Sequence, residues 1–331
     1  MVRNGPRSKL PHAVCVSLLF GIIALAACGR PGDPMSGMGW AYPSSTKTVF
    51  GKPLGQGPFH MPGSILTLTR QQYEQAKGPI DWHPEDHPPA PPIVRGPASS
   101  KTTACAECHL FNGAGFPGSA NLAGLPAAYI VEQVKAFRSG DRRSARPDQP
   151  NTAEMIKAAR SVTPTELDEA AAYFAGLPRQ PWLRVIETTT APRTVSDKYG
   201  WLDPALGGGT EPLGDRIVEL SEDMDRALLH DDHVTLIDYV PPGALARGKA
   251  IAETGGSART PCGTCHGPDF RGTAIAPPLA ARPAGYLART LWDIRSGARR
   301  GTSVALMQQP ANALSPADIR DVAAFLASLK P

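Results

Sequence analysis

The chain has 331 residues and a mass of 35.0 kDa, enough for about two domains at roughly 150 residues each. Hydrophobic residues at 41% and charged residues at 19% exclude a wholly disordered chain, while 35 Pro, 33 Gly and 6% aromatics predict small cores joined by long irregular connections. The net charge of +4 includes Arg3, Arg7 and Lys9 at the extreme amino terminus, so charge gives no support to a nucleic-acid partner.

Export is the first feature read in chain order. Residues 1–13 are basic, Val14 to Ala27 form an apolar run of 14 residues, and Leu25-Ala26-Ala27 lead into Cys28. That run is shorter than the roughly 20 residues a membrane-crossing helix requires. Cleavage before Cys28 is therefore expected. The segment resembles the lipobox of bacterial lipoproteins, which implies a lipidated Cys28 and a periplasm-facing protein anchored to a membrane by its acyl chains. A plain signal peptide releasing a soluble periplasmic protein is the alternative.

With Cys15 in the signal and Cys28 at its end, four cysteines remain, and each pair is followed at once by histidine. The motifs are Cys105-Ala106-Glu107-Cys108-His109 and Cys262-Gly263-Thr264-Cys265-His266, the c-type haem attachment pattern. Two thiols add to the haem vinyl groups, and the adjacent histidine reaches the iron. Zinc gives no reason for the fixed place of the histidine and leaves each Cys2His set one ligand short. A thioredoxin-like redox pair needs a βαβ context that neither motif shows. Two covalently attached haem c groups are expected, on Cys105, Cys108, Cys262 and Cys265, with His109 and His266 as iron ligands.

The halves align with one another at a constant offset of 157 from these motifs onward, matching Leu122 to Leu279, Tyr129 to Tyr286, Arg138 to Arg295, and Arg142-Arg143 to Arg299-Arg300. After five extra residues near Arg146 to Pro150 the offset becomes 152, which matches Met155 to Met307 and Thr163-Pro164 to Ser315-Pro316. Of seven methionines these two alone fall at equivalent positions. A thioether opposite the histidine closes the iron to other ligands, so Met155 and Met307 are the candidate sixth ligands.

The pattern predicts helices over about 126–139 and 283–296, and terminal amphipathic helices entered through Thr163 and Ser315 with proline at the first position. A further helix over 244–253 leads into the second motif, whereas the first is preceded by His83 to Pro92, too rich in proline to be helical. His83 and His87 read as ordinary loop residues. Strand-like stretches at 182–186 and 233–240 flank Gly207-Gly208-Gly209. Residues 179–240 carry 12 acidic and 6 basic residues, and residues 241–331 carry 5 acidic and 11 basic. Solvated faces are the default reading of both.

The order of haem motif, middle helix, loop methionine and terminal helix, given twice, resembles class I cytochromes c in tandem, as in di-haem cytochromes of the c-four type, over about residues 96–178 and 241–331. The resemblance implies a mainly α protein with two such domains. Its organisation is a signal peptide (1–27), a tether and Pro-rich extension (28–95), domain 1 (96–178), an acidic β-containing connector (179–240) and domain 2 (241–331). In that family a Pro-x-Leu turn supplies a carbonyl to the proximal histidine. Pro277-Pro278-Leu279 matches it, and Ala120-Asn121-Leu122 departs from it by lacking proline. Tyr129, Tyr286, Arg138 and Arg295 resemble the family's helix residues near the haem propionates. The implied function is electron transfer rather than catalysis, with a redox protein or membrane complex as donor and acceptor. A di-haem peroxidase-type enzyme with one open haem is the alternative, as is a cytochrome subunit of a larger dehydrogenase complex.

Overall fold

The computed structural model describes residues 35–43, 54–96, 103–197 and 199–331. The expected signal peptide and Cys28 lie outside the described residues.

The amino-terminal segment contributes a short antiparallel pair, β1 (Phe59–His60) and β2 (Thr67–Leu68), then α1 (Arg70–Glu74) and the single turn α2 (Pro92–Arg95). The first repeat follows as α3 (Ala106–His109), α4 (Ala127–Ser139), α5 (Pro150–Ser161) and α6 (Pro164–Gly176). Between the repeats lie β3 (Leu183–Glu187), β4 (Thr190–Pro192), β5 (Thr194–Ser196), β6 (Leu202–Pro204), β7 (Thr210–Pro212), β8 (Val218–Ser221), α7 (Met224–Leu228) and β9 (Leu236–Val240). The second repeat is α8 (Ala244–Thr254), α9 (Gly263–His266), α10 (Ala284–Arg295), α11 (Ala305–Ala313) and α12 (Pro316–Ser328). Among the described residues no helix is long and apolar enough to cross a membrane.

Local chemistry sets the helix ends. Thr163 caps α6 by accepting from Glu166 N–H while the Glu166 carboxylate accepts from Thr163 N–H, and Ser315 and Asp318 repeat this at α12. Proline at the first helical position has no N–H to leave unpaired. The buried stripes are equivalent, Leu167, Ala170, Ala171 and Phe174 on α6 and Ile319, Val322, Ala323 and Leu326 on α12.

Three features differ from the sequence reading. Both methionine segments are helical, α5 and α11, where loops were expected; the Ala-rich stretch after Pro150 has high helix propensity. The proline-rich stretch ends in one helical turn, because Pro92 stands at its first position. Strand β8 gave no signal, since its four residues are all buried and show no alternation. It pairs antiparallel with β9, which pairs parallel with β3, in the order β3-β9-β8.

The amino-terminal segment packs on both halves. Met38 and Tyr42 join the core of the second repeat, where Tyr42 donates to Asp293 Oδ1 at 2.7 Å. Ile93 and Val94 join the core of the first.

Helices α8 and α12 cross at Gly248, where an added Cβ would overlap the Asp321 carbonyl, a backbone atom that cannot swing aside. Gly248→Ala is expected to destabilise the second repeat by about 2–3 kcal/mol, as overpacking of a close crossing does. Denaturant unfolding of the haem-loaded protein would check it.

Candidate functional site

Each Cys-x-x-Cys-His motif forms one turn of helix, α3 or α9, with its first cysteine as the preceding cap residue. Residues three and four apart share a helix face, so both thiols and the imidazole are presented together. The turn is closed by positive φ at equivalent places, Leu110 at 59° and Gly267 at 84°. A leucine there carries strain that the glycine avoids.

The histidines are oriented identically. His109 Nδ1 donates to Ala120 O at 2.9 Å, and His266 Nδ1 donates to Pro277 O at 2.8 Å. Fixing the proton on Nδ1 leaves the lone pair on Nε2 free. His266 Nε2 is buried without a hydrogen-bond partner. Burial holds both imidazoles below their usual pKa, which favours the neutral, ligating form. Burial also pushes Cys105 up to about 12 and Cys108 up to about 11.

A cavity of about 1180 Å³ opens over the first motif, lined by Cys105, Cys108, His109 and Met155 among others. Met155 packs with Val134, Ala159 and Leu167, and Met307 with Ile294, Val304 and Ala311. Met224, from the connector, also lines the cavity and has no counterpart in the second repeat.

Tyr129 and Tyr286 line the same cavity where the repeats meet. Residues 141–143 and 298–300 run antiparallel there, with Arg143 N–H donating to Ala298 O at 2.9 Å and Arg300 N–H to Asp141 O at 2.8 Å. Arg299 reaches across to Tyr129 Oη at 3.0 Å, and Arg142 to Tyr286 Oη at 3.2 Å. Both arginines donate to Gln133 Oε1, at 3.0 Å from Arg142 and 2.8 Å from Arg299. Arg142, Arg299 and Arg282 pull the Tyr286 hydroxyl down to about 8, although its burial acts the other way. Arg138 donates to Ala159 O and Val162 O, and Arg295 to Leu314 O. These two guanidiniums tie the middle helix to the end of the methionine helix in each repeat.

The residues present fit a haem. A flat apolar cofactor has room beside the thiols and His109. Arg289 Nη2 and Arg299 Nε are buried donors without hydrogen-bond partners near the junction, suited to carboxylates.

Over residues 93–178 and 245–330, more than half its length, the chain matches the cytochrome c family. The chain is a cytochrome c. Its two cytochrome c domains carry two covalently bound haem c groups with iron. It is 43% identical to cytochrome c-554(548) of Halomonas halodenitrificans over 68 residues, which cover 20% of this chain and 82% of that one. It is 44% identical over 88 residues to the thiosulfate dehydrogenase electron acceptor of Stutzerimonas stutzeri, covering 25% of this chain and 39% of that protein. With cytochrome c4 of Azotobacter vinelandii it shares 32% identity over 105 residues, 30% of this chain and 50% of that one. It thus spans half or less of the latter two. Among solved structures, thiosulfate dehydrogenase (TsdBA) from Marichromatium purpuratum aligns with a TM-score of 0.47 at 26% identity, covering 72% of this chain and 39% of that one. Reduced cytochrome c4 from Pseudomonas stutzeri aligns at 0.44 and 19% identity, covering 68% and 93%.

Sequence reasoning missed what holds the proline-free turn in this cytochrome. Arg282, 2% exposed, donates to both the backbone carbonyl and the side-chain oxygen of Asn121, adjacent to Ala120. Arg179 makes the converse contact, to Ala280 O. Arg282→Met leaves buried carbonyls unpaired and is expected to cost about 1–3 kcal/mol of stability, measured by denaturant unfolding of the holo-protein.

Proposed function

We propose that this cytochrome is a membrane-anchored, periplasm-facing di-haem electron carrier with two closed, His/Met-ligated sites. Cys105 and Cys108 hold one haem and Cys262 and Cys265 the other. His109 and His266 are the proximal ligands, and Met155 and Met307 stand opposite them. Ala120 O and Pro277 O fix the imidazole rings. Tyr129 and Tyr286 with the crossing arginines form the polar edge where the two sites face each other. When bound, each haem supplies the one-electron ferric–ferrous couple.

The observation that carries the reading is the placement of His109 and Met155 on one cavity, with Met155 and Met307 packed at equivalent positions against equivalent helices. A periplasmic dehydrogenase is a fitting donor class, since one relative is named a thiosulfate dehydrogenase electron acceptor. The acceptor is a second redox protein or a membrane complex. Cys28 is the proposed lipid attachment site, and Cys28→Ser is expected to move the protein from the membrane fraction to the soluble fraction on cell fractionation.

The ferric absorption spectrum tests the ligation. Two low-spin haems with the methionine-to-iron charge-transfer band are expected, and Met155→Ala or Met307→Ala is expected to halve that band and turn one haem high-spin. A high-spin, peroxide-responsive haem in the unaltered protein would instead support the peroxidase reading. Loss of the band in Met224→Ala would move one ligand to the connector.

A further inference from the structure

The two repeats treat equivalent surfaces differently. Gly118 and Glu154 line the cavity over the first motif. At the offsets of 157 and 152 their counterparts are Ile275 and Leu306. The geometry agrees with that match. Gly118 and Ile275 each stand two residues before the carbonyl that faces the histidine, Ala120 O or Pro277 O, and Glu154 and Leu306 each precede a matched methionine. In the second repeat both positions are bare, with Ile275 78% and Leu306 79% exposed. Among the large apolar side chains of the described residues, only Ile65 is more exposed.

In the first repeat the connector closes the same place. Asn151 Nδ2, on α5, donates to Gly118 O at 3.2 Å and ties the turn to the methionine helix. Trp201 lies beside that contact, stacked on Phe116 with ring centroids 5.3 Å apart. A Cβ at Gly118 would come within 3.1 Å of the Trp201 ring, so a branched side chain like that of Ile275 would collide with the cover. Tyr199, Leu206 and Met224 of the connector line the same cavity. Glycine lies under the cover in one repeat, and isoleucine stands in the open in the other.

Charge distinguishes the kind of partner. The chain from Phe270 to Trp292, which carries Ile275, and from Ile294 to Ala317, which carries Leu306, contains six arginines and no acidic residue. Arg271 and Arg300, both exposed, each meet one aspartate, Asp269 and Asp141, while residues 241–331 as a whole keep 11 basic residues against 5 acidic. Exposed apolar side chains on a positive surface suit a protein partner of opposite charge. We propose that the redox partner docks at the mouth of the second haem site, on Ile275 and Leu306, and that the connector seals the first. The partner is an acidic one-electron redox protein with an apolar patch over its own cofactor. One electron passes from the reduced partner to the ferric iron of domain 2 and on to domain 1, with no bond broken and no proton transferred. This rests on the reading of both domains as electron-carrying haem sites.

The test uses the ferric holo-protein. In proton NMR the shifted haem methyl signals are assigned to each domain through their thioether bridges and titrated with the paramagnetic anion chromium(III) trisoxalate. Signals of the second haem are expected to broaden while those of the first stay sharp. Broadening of the first haem's signals overturns the seal. High-spin shifts before the anion is added count against His/Met ligation and leave the seal readable, since high-spin methyls respond to the same contact. In stopped flow, reduction by fully reduced flavodoxin, an acidic one-electron donor, is expected at low salt to slow about tenfold in Ile275→Glu or Leu306→Glu. Leu206→Glu, at a side chain 60% exposed on the connector, is expected to leave the rate unchanged. Unchanged rates in the first two variants, or slowing in the third, overturn the docking site. Release of the protein from phosphatidylglycerol vesicles by Ile275→Glu, with the flavodoxin rate unchanged, would overturn it in favour of a membrane contact.

Discussion

Buried guanidiniums that cross between the two repeats are the constraint on which the rest of this structure depends. A charge withdrawn from water must be met by acceptors in good geometry, or it destabilises the fold. Arg299, 5% exposed, finds its acceptors on Tyr129 and Gln133 of the other repeat, and Arg282 finds them on Asn121. Because donors and acceptors belong to different halves, satisfying the charges fixes the halves in one orientation. The planar fork of arginine makes that orientation narrow, where a lysine would tolerate many. The same contacts hold the turn whose Ala120 carbonyl accepts from His109, so the orientation of that ring depends on the second domain.

The connector turns part of its negative charge to structural use. Its default reading was a solvated acidic face, yet Glu219 and Asp238 are buried, and their carboxylates accept from Gly285 N–H at 3.2 Å and Ala284 N–H at 2.8 Å. They therefore satisfy the free amides at the start of α10, where a carboxylate is favoured by the helix dipole. Glu219 also accepts from Gly118 N–H at 2.8 Å, on the loop that lines the first cavity. Burial and the neighbouring Glu219 raise the pKa of Asp238 well above the usual carboxylate range. One strand pair thus contacts both cytochrome c domains through acidic side chains.

What was legible in the sequence followed range along the chain. The caps at Thr163 and Ser315 and the helices before Gly140 and Ser296 are set by residues within one or two turns of each other, and all stand where expected. The carbonyl facing His109 is present without proline, and what supports it did not show: Arg282 and Asn121 are 161 residues apart. His83 is a loop residue, as read, but its burial against Asp231 and His233 did not show, because those residues lie on another segment. Strand β8 was hidden for a related reason, since a short strand buried on both faces has no alternation to read.

The contact between Tyr42 and Asp293 joins residues 251 positions apart, and its consequence concerns the order of assembly. A chain synthesised from its amino terminus presents Met38 and Tyr42 long before α10 exists to receive them. Closing so long a loop is entropically costly until its target is in place. The stretch around Met38 and Tyr42 is therefore among the first parts made and the last to be fastened, whereas Ile93 and Val94, close in the chain to the first repeat, dock as soon as that repeat is complete.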